Sequence, residues 1–266
     1  MLVNKPEQLQ ILREAGAISK KVMDSAIKEC VPGAMLLDIE KNIDAKITEY
    51  GASAWFKEEK NYFHSSCLSV NDVWIHGIPG DQVLKAGDIV SIDIGIKYKN
   101  MYVDHCWTTP VLENSSNWVS RDVFSADESY LGVFDAEKSK FLQTGIRSLL
   151  AAIEEFKPNG RTGDISAKMQ QVVEKEGFNV IRDFVGHGVG LRSHEDPEIP
   201  CFGTKGAGKL LKKGMVLAIE VMYSMGNPEI KIAKDGWTVL TADHSLTGMY
   251  EHTVYLGENG PEILTQ

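Results

Sequence analysis

Apolar residues recur at three- and four-residue spacing from Glu7 onward. Leu9, Leu12, Ile18, Val22 and Ala26, with charges between them, predict an amphipathic helix that ends near Pro32–Gly33. A second helix follows, with Asp38 placed to cap or open it, an apolar face at Ile39, Ile43 and Ile47, and Gly51 to stop it. The first pattern returns over residues 135 to 156, where Phe141, Ile146, Leu149, Leu150 and Ile153 share a side. The second returns too: Pro158, Asp164, Ile165, Val173 and Gly177 match Pro32, Asp38, Ile39, Ile47 and Gly51 at a constant offset of 126 residues. The repeat predicts an internal duplication of two α/β halves, with a site at their junction, where pockets are preferentially found.

Elsewhere the period changes to two. Ile89-Val-Ser-Ile-Asp-Ile-Gly-Ile alternates apolar with small or polar residues, and Met101-Tyr-Val-Asp-His-Cys-Trp-Thr resumes after Lys97-Tyr-Lys-Asn, which predicts a hairpin. Met215–Tyr223 and Met249–Leu256 read as later strands. Leu112 to Ser129, with Asn114-Ser-Ser-Asn117 and few periodic apolar residues, reads as a loop insertion.

Composition acts on this picture by subtraction. The 266 residues carry 28 Lys+Arg against 37 Asp+Glu, a net charge of −9, and 43% are apolar, as in a soluble globular protein able to bury its own core. An acidic balance without a Lys/Arg cluster lacks the electrostatic footprint of a nucleic-acid binder. The four cysteines, Cys30, Cys67, Cys106 and Cys201, lie far apart with no CxxC pair, against a disulfide framework or zinc knuckle and in favour of a reducing cytoplasm. No eighteen-residue apolar run suggests a membrane span, and the first residues do not read as a signal peptide.

The informative anomaly is a set of acids inside strand patterns. Asp is disfavoured in strands, and a buried carboxylate is costly unless paired or bound to metal. Asp93 sits between Ile92 and Ile94. It shares a face with Asp104 whether the hairpin turn centres on Tyr98–Lys99 or on Lys99–Asn100. Two like charges so placed call for a shared proton or bound cations. Glu220, inside Ala218-Ile-Glu-Val-Met, and Glu251, at the start of the last long strand, repeat the anomaly. Carboxylate oxygens with one imidazole suit Mn, Fe, Co or Zn, and several bridging carboxylates favour a two-metal cluster. His187, in Gly186-His-Gly-Val-Gly190, is the first imidazole candidate, its flanking glycines allowing a tight turn; His194 and His76 follow. His252 should face away from Glu251, its neighbour on the strand.

In order and spacing, His76-Gly-Ile-Pro, Gly87-Asp-Ile-Val-Ser-Ile-Asp93, Asp104, Gly186-His-Gly-Val-Gly, His194-Glu-Asp-Pro, Ile219-Glu220 and Tyr250-Glu251-His-Thr closely resemble the type I methionine aminopeptidases. The resemblance runs from the first helix to Glu262-Ile-Leu-Thr and leaves out the loop near 112–132, which is longer here. It implies an α/β pita-bread fold of duplicated αββ halves around a central antiparallel sheet. The chain would be one catalytic domain over 1–266, with halves of approximately 1–125 and 126–266. Carried over, Asp93 chelates one of two divalent ions (Co, Mn, Fe or Zn), Asp104 and Glu251 bridge both, and His187 and Glu220 complete the other shell. The implied reaction is removal of the N-terminal methionine from nascent proteins, a hydroxide held by both ions attacking the first peptide bond. Glu220 shuttles the proton, and His76 and His194 contact the peptide and stabilise the tetrahedral intermediate. The implied partners are nascent polypeptide N-termini and the ribosome that presents them, with a monomeric, cytoplasmic enzyme.

Tyr62, Cys67 and Trp237 match the family's pocket for the methionine side chain. Ser193 stands where a bulky aromatic is usual, and Leu191, Arg192 and Val221 also depart from the pattern, so a weaker preference for Met is expected. Three other readings compete. Gly203-Thr-Lys-Gly-Ala-Gly208-Lys209-Leu210 nearly spells a phosphate-binding loop, but Leu210 offers no hydroxyl for Mg²⁺, and the prolines of Glu195–Pro200 do not suit a central strand. An Xaa-Pro peptidase of the same fold generally carries a further large domain. A non-catalytic peptide-binding relative would have lost ligands that this chain keeps.

Overall fold

The structure, a computed structural model, describes Leu2, Val3 and residues 5–113 and 135–266; the loop insertion expected near 112–132 lies, beyond its first two residues, outside them. Helices α1 (Pro6–Glu29) and α2 (Leu36–Glu49) come first, followed by strand β1 (Ser53–Ala54) and a 3₁₀ turn (Trp55–Glu58). Strands β2 (Ser66–Val70), β3 (Val73–Ile75), β4 (Ile89–Tyr98) and β5 (Met101–Pro110) lead to helices α3 (Ala136–Glu154) and α4 (Thr162–Lys175). The remainder is β6 (Asn179–Val180), β7 (Val185–Gly188), β8 (Glu195–Pro200), β9 (Val216–Ser224), β10 (Ile230–Ile232), β11 (Val239–Thr241), β12 (Thr247–Gly257) and β13 (Gly260–Ile263).

The apolar stripes bury as their spacing requires. Leu12, Ile18, Val22 and Ala26 of α1 face β4 and β5, while Phe141, Ile146, Leu149 and Ile153 of α3 face β9 and β12. Asp38 opens α2 rather than capping it: it lies in the first turn and pairs with Lys41 at 2.9 Å, the cap position being Met35. At α3 a cap does form, Asp135 accepting from the amides of Glu137 and Lys138.

The main sheet runs β1-β4-β5-β12-β9-β7-β8, with β2 also on β4, β6 on β9 and β13 on β12; the pairs are antiparallel. A smaller sheet, β10-β11-β3, lies beside it in the chain order. The β4–β5 hairpin pairs Tyr98 with Met101, so its turn is Lys99–Asn100, the second of the two alternatives. Both turn residues have positive φ, +47° and +62°, matching the twist of a two-residue hairpin. The proline-bearing strand β8 takes the edge of the sheet, where missing amide donors cost nothing.

One local reading changes. Gly186 and Gly188 do not form a tight turn but belong to β7, squeezed between neighbours. A Cβ on Gly186 would lie 2.7 Å from the Ala218 carbonyl oxygen, and one on Gly188 2.4 Å from that of Asp196. The glycine-rich 203–209 segment caps α4 instead of cradling phosphate: Gly163 N–H donates to Ala207 at 3.0 Å, and Gly206 N–H donates to Asp164 at 2.7 Å.

Candidate active site

Strand register brings the anomalous acids together. Cys67, Asp93, Cys106, Glu251 and Glu220 stand side by side across β2, β4, β5, β12 and β9. One pleat along the same face, Gly95 pairs with Asp104, and Ala218 pairs with both Thr253 and His187. All five expected ligands are buried, Glu251 to 1% exposure.

One ligand atom each from Asp104, His187 and Glu251 lie within 4.8 Å of one another. His187 Nδ1 is 2.9 Å from the Gly188 carbonyl, which can only accept, so Nδ1 carries the proton and the Nε2 lone pair faces Asp104 Oδ2 at 3.7 Å. That is the tautomer a metal ligand needs. Asp93 Oδ1 and Glu251 Oε1 are buried and accept no hydrogen bond among the described residues. Buried carboxylate oxygens without donors, beside a neutral imidazole, fit a divalent cation.

The electrostatics agree. Burial raises Asp104 to about 7, against a hydrogen bond from the His105 amide. Asp93, Glu220 and Glu251 are pushed well above the usual carboxylate range, first by burial and then by the neighbouring carboxylates. His187 is lowered to about 4 by burial and by His194, and is therefore neutral at pH 7.

The cluster opens onto a cavity of about 330 Å³ with aromatic walls. Tyr62, Cys67 and Trp237 line it as expected; the Tyr62 hydroxyl donates to the Ser66 carbonyl at 2.7 Å and lies 3.1 Å from Cys67 Sγ, and its ring is 5.0 Å from that of Trp237. His76, held at φ +56°, packs edge-on against Phe184 and Trp237 and is lowered to about 4 by burial and His194. His194 lines the cavity with its ring 4.3 Å from that of His187, its pKa also lowered by burial. Ser193, half-buried beside it, is not among the lining residues. His252 does turn away, its ring stacked on His105 at 5.1 Å and its Nδ1 2.9 Å from Thr265 Oγ1.

Trp55, Phe56 and Phe184 also line the cavity, and the sequence reading gave them no part. Trp55 stands 5.3 Å edge-on to His194, next to Ser193. Its signal was indirect: a glycine inside a strand marks a close approach, and a Cβ on Gly95 would lie 2.2 Å from the Trp55 ring.

Buried acids around the His187 imidazole at the end of an apolar cavity, on a sheet backed by helices, describe a metal site open to a ligand. The chain belongs to metallopeptidase family M24, whose sequence signature matches residues 10–258. Within it, the similarity is to methionine aminopeptidases. That of Clostridium perfringens is 40% identical over 266 residues, all of this chain and 99% of that protein. The crystal structure of the Thermotoga maritima methionine aminopeptidase superposes with a TM-score of 0.90 at 37% identity, covering 100% of both chains. A Pyrococcus furiosus prolidase shares the fold alone, with a TM-score of 0.74 at 20% identity over 65% of its length. The fold is thus the pita-bread α/β architecture expected from the motifs.

Proposed function

We propose that the protein is a metal-dependent aminopeptidase that removes the N-terminal methionine from peptides and nascent polypeptides in the cytoplasm. The observation that carries this is the buried Asp104–His187–Glu251 cluster opening onto a largely apolar cavity of about 330 Å³. Asp93 and Glu220, in the same cross-strand row as Glu251, complete a set of five ligands for two divalent ions drawn from Co, Mn, Fe and Zn. Such ions, when bound, supply Lewis acidity to the scissile carbonyl and acidify water. The working unit is the whole chain as one catalytic domain: Asp93 and Asp104 come from the half ending near residue 125, and His187, Glu220 and Glu251 from the other.

The chain's own groups do the rest. Glu220, buried beside the other carboxylates at the end of the cavity, accepts and returns a proton at its side-chain oxygen. His76 and His194 are neutral at pH 7 and can each donate an N–H to the developing oxyanion. Tyr62, Cys67 and Trp237 recognise a thioether side chain by packing, since burial keeps the phenol and thiol neutral. Trp55 supplies an aromatic wall beside His194 and offsets the loosening expected from Ser193. Initial rates on Met-Ala-Ser, Leu-Ala-Ser and Met-Pro-Ser test the assignment. Met-Ala-Ser is expected to be fastest; equal rates for Leu-Ala-Ser, or cleavage of Met-Pro-Ser alone, would contradict it.

A further inference from the structure

Strands β5 and β12 carry Asp104 and Glu251, yet their direct pairing consists of two residue pairs, Glu251 with Cys106 and His252 with His105. Beyond these, side chains take over. At one end the Thr253 hydroxyl accepts from the Asp104 amide and donates to the Asp104 carbonyl, both at 2.8 Å. At the other, the Thr108 hydroxyl accepts from the Met249 amide at 2.8 Å and donates to the Met249 carbonyl at 2.7 Å. Each hydroxyl does for one backbone residue what an opposing N–H and C=O would do in a regular ladder.

The cause at Thr253 is a change of partner. From Val254 onward β12 pairs with β13, and the Thr253 backbone is already engaged by the C-terminal segment: its carbonyl accepts from the Leu264 amide at 2.9 Å, and its amide donates to Thr265 Oγ1 at 3.2 Å. Only the side chain remains for Asp104. The Asp104 carboxylate is in turn tied to its own backbone, Oδ1 accepting from the His105 amide at 3.1 Å while Oδ2 faces His187. Where the Thr253 hydroxyl holds the Asp104 backbone therefore fixes where the carboxylate points.

We propose that Thr253 is a positioning residue for the metal centre: its hydroxyl, acting through the Asp104 backbone, sets the ligand geometry, whereas the matching Thr108 bonds Met249 and Ser91, neither of them a ligand. The inference rests on the metal-centre reading above. The test is calorimetric titration of Mn(II) into the metal-stripped full-length protein, alongside the thermal midpoint. Thr253→Val, which keeps the shape and removes the hydroxyl, is expected to weaken the Mn(II) Kd about 10- to 100-fold, the range seen for partners of metal ligands. Thr253→Ser should restore the Kd to within about threefold of wild type. Thr108→Val should lower the thermal midpoint while leaving the Kd within about threefold. Loss of thermal midpoint without loss of affinity in Thr253→Val, or equal loss of affinity in Thr108→Val, would overturn the proposal. Should Thr253→Val not fold, Thr253→Cys, which keeps the volume with far weaker hydrogen bonding, carries the same expectation. If neither folds while Thr108→Val does, Thr253 belongs to folding and the proposal fails. Wild-type protein that binds no Mn(II) would instead break the metal-centre reading itself.

Discussion

Asp104 is one of four carboxyls through which the site responds to pH. Burial lifts its carboxyl to about 7, while a divalent ion requires it ionised, so binding below that pH must expel a proton. Competition from this proton is therefore slight above pH 7 and grows as pH drops through it, while the raised Asp93, Glu220 and Glu251 add competition of the same sign. From pH 7.5 to 6 the Mn(II) Kd is expected to weaken about tenfold for this one proton, and further for any proton displaced from Asp93, Glu220 or Glu251. Titration calorimetry across that range, in two buffers of different ionisation enthalpy, counts the protons; a Kd that ignores pH would refute the assignment. At this scale the sequence was most legible where it broke its own rules. Asp93, Asp104, Glu220 and Glu251 stood out because strands disfavour them, and the structure gathers all four with His187 in one place. Trp55 and Phe56 gave no such contrast, because an aromatic that lines a cavity looks, in a sequence, like one that fills a core.

Among the elements, periodicity found the four helices and the long strands β4, β5, β9 and β12, whose patterns are long enough to be read. It did not find β1, β3, β6, β10 or β11, of two or three residues, nor β2, β7, β8 or β13, of four to six, which owe their conformation to pairing more than to their own composition. The glycines of β7 were misread for a related reason: turn formation is visible locally, whereas close approach to β8 and β9 is a property of the assembled sheet. Gly95 of β4 offers a test of such a contact. Its missing side chain makes room for the Trp55 ring, so Gly95→Ala must displace the indole, and overpacking of this kind costs about 1–3 kcal/mol. Thermal unfolding should show the loss, and the ratio of Met-Ala-Ser to Leu-Ala-Ser cleavage should fall as the wall beside His194 moves. An unchanged ratio in a destabilised variant would separate Trp55 from specificity.

Across the whole molecule, one helix of each pair stands behind a strand group that carries proposed ligands. α1 backs β4 and β5, which carry Asp93 and Asp104; α3 backs β9 and β12, which carry Glu220 and Glu251. The repeat in the sequence pointed to a site between such groups, and strand register supplies what the repeat alone could not, namely which side chains stand next to which. The C-terminal segment closes the arrangement. Arg13 of α1 pairs with Glu262 at 2.7 Å, and the Leu264 carbonyl packs where a Cβ on Gly16 would stand. The most direct test of the account is the initial rate of methionine release from Met-Ala-Ser by chelator-stripped protein, before and after Mn(II), Fe(II) or Co(II) is restored. The account predicts negligible release without metal and turnover on its return. Protein that binds these ions yet releases no methionine with any of them would contradict it.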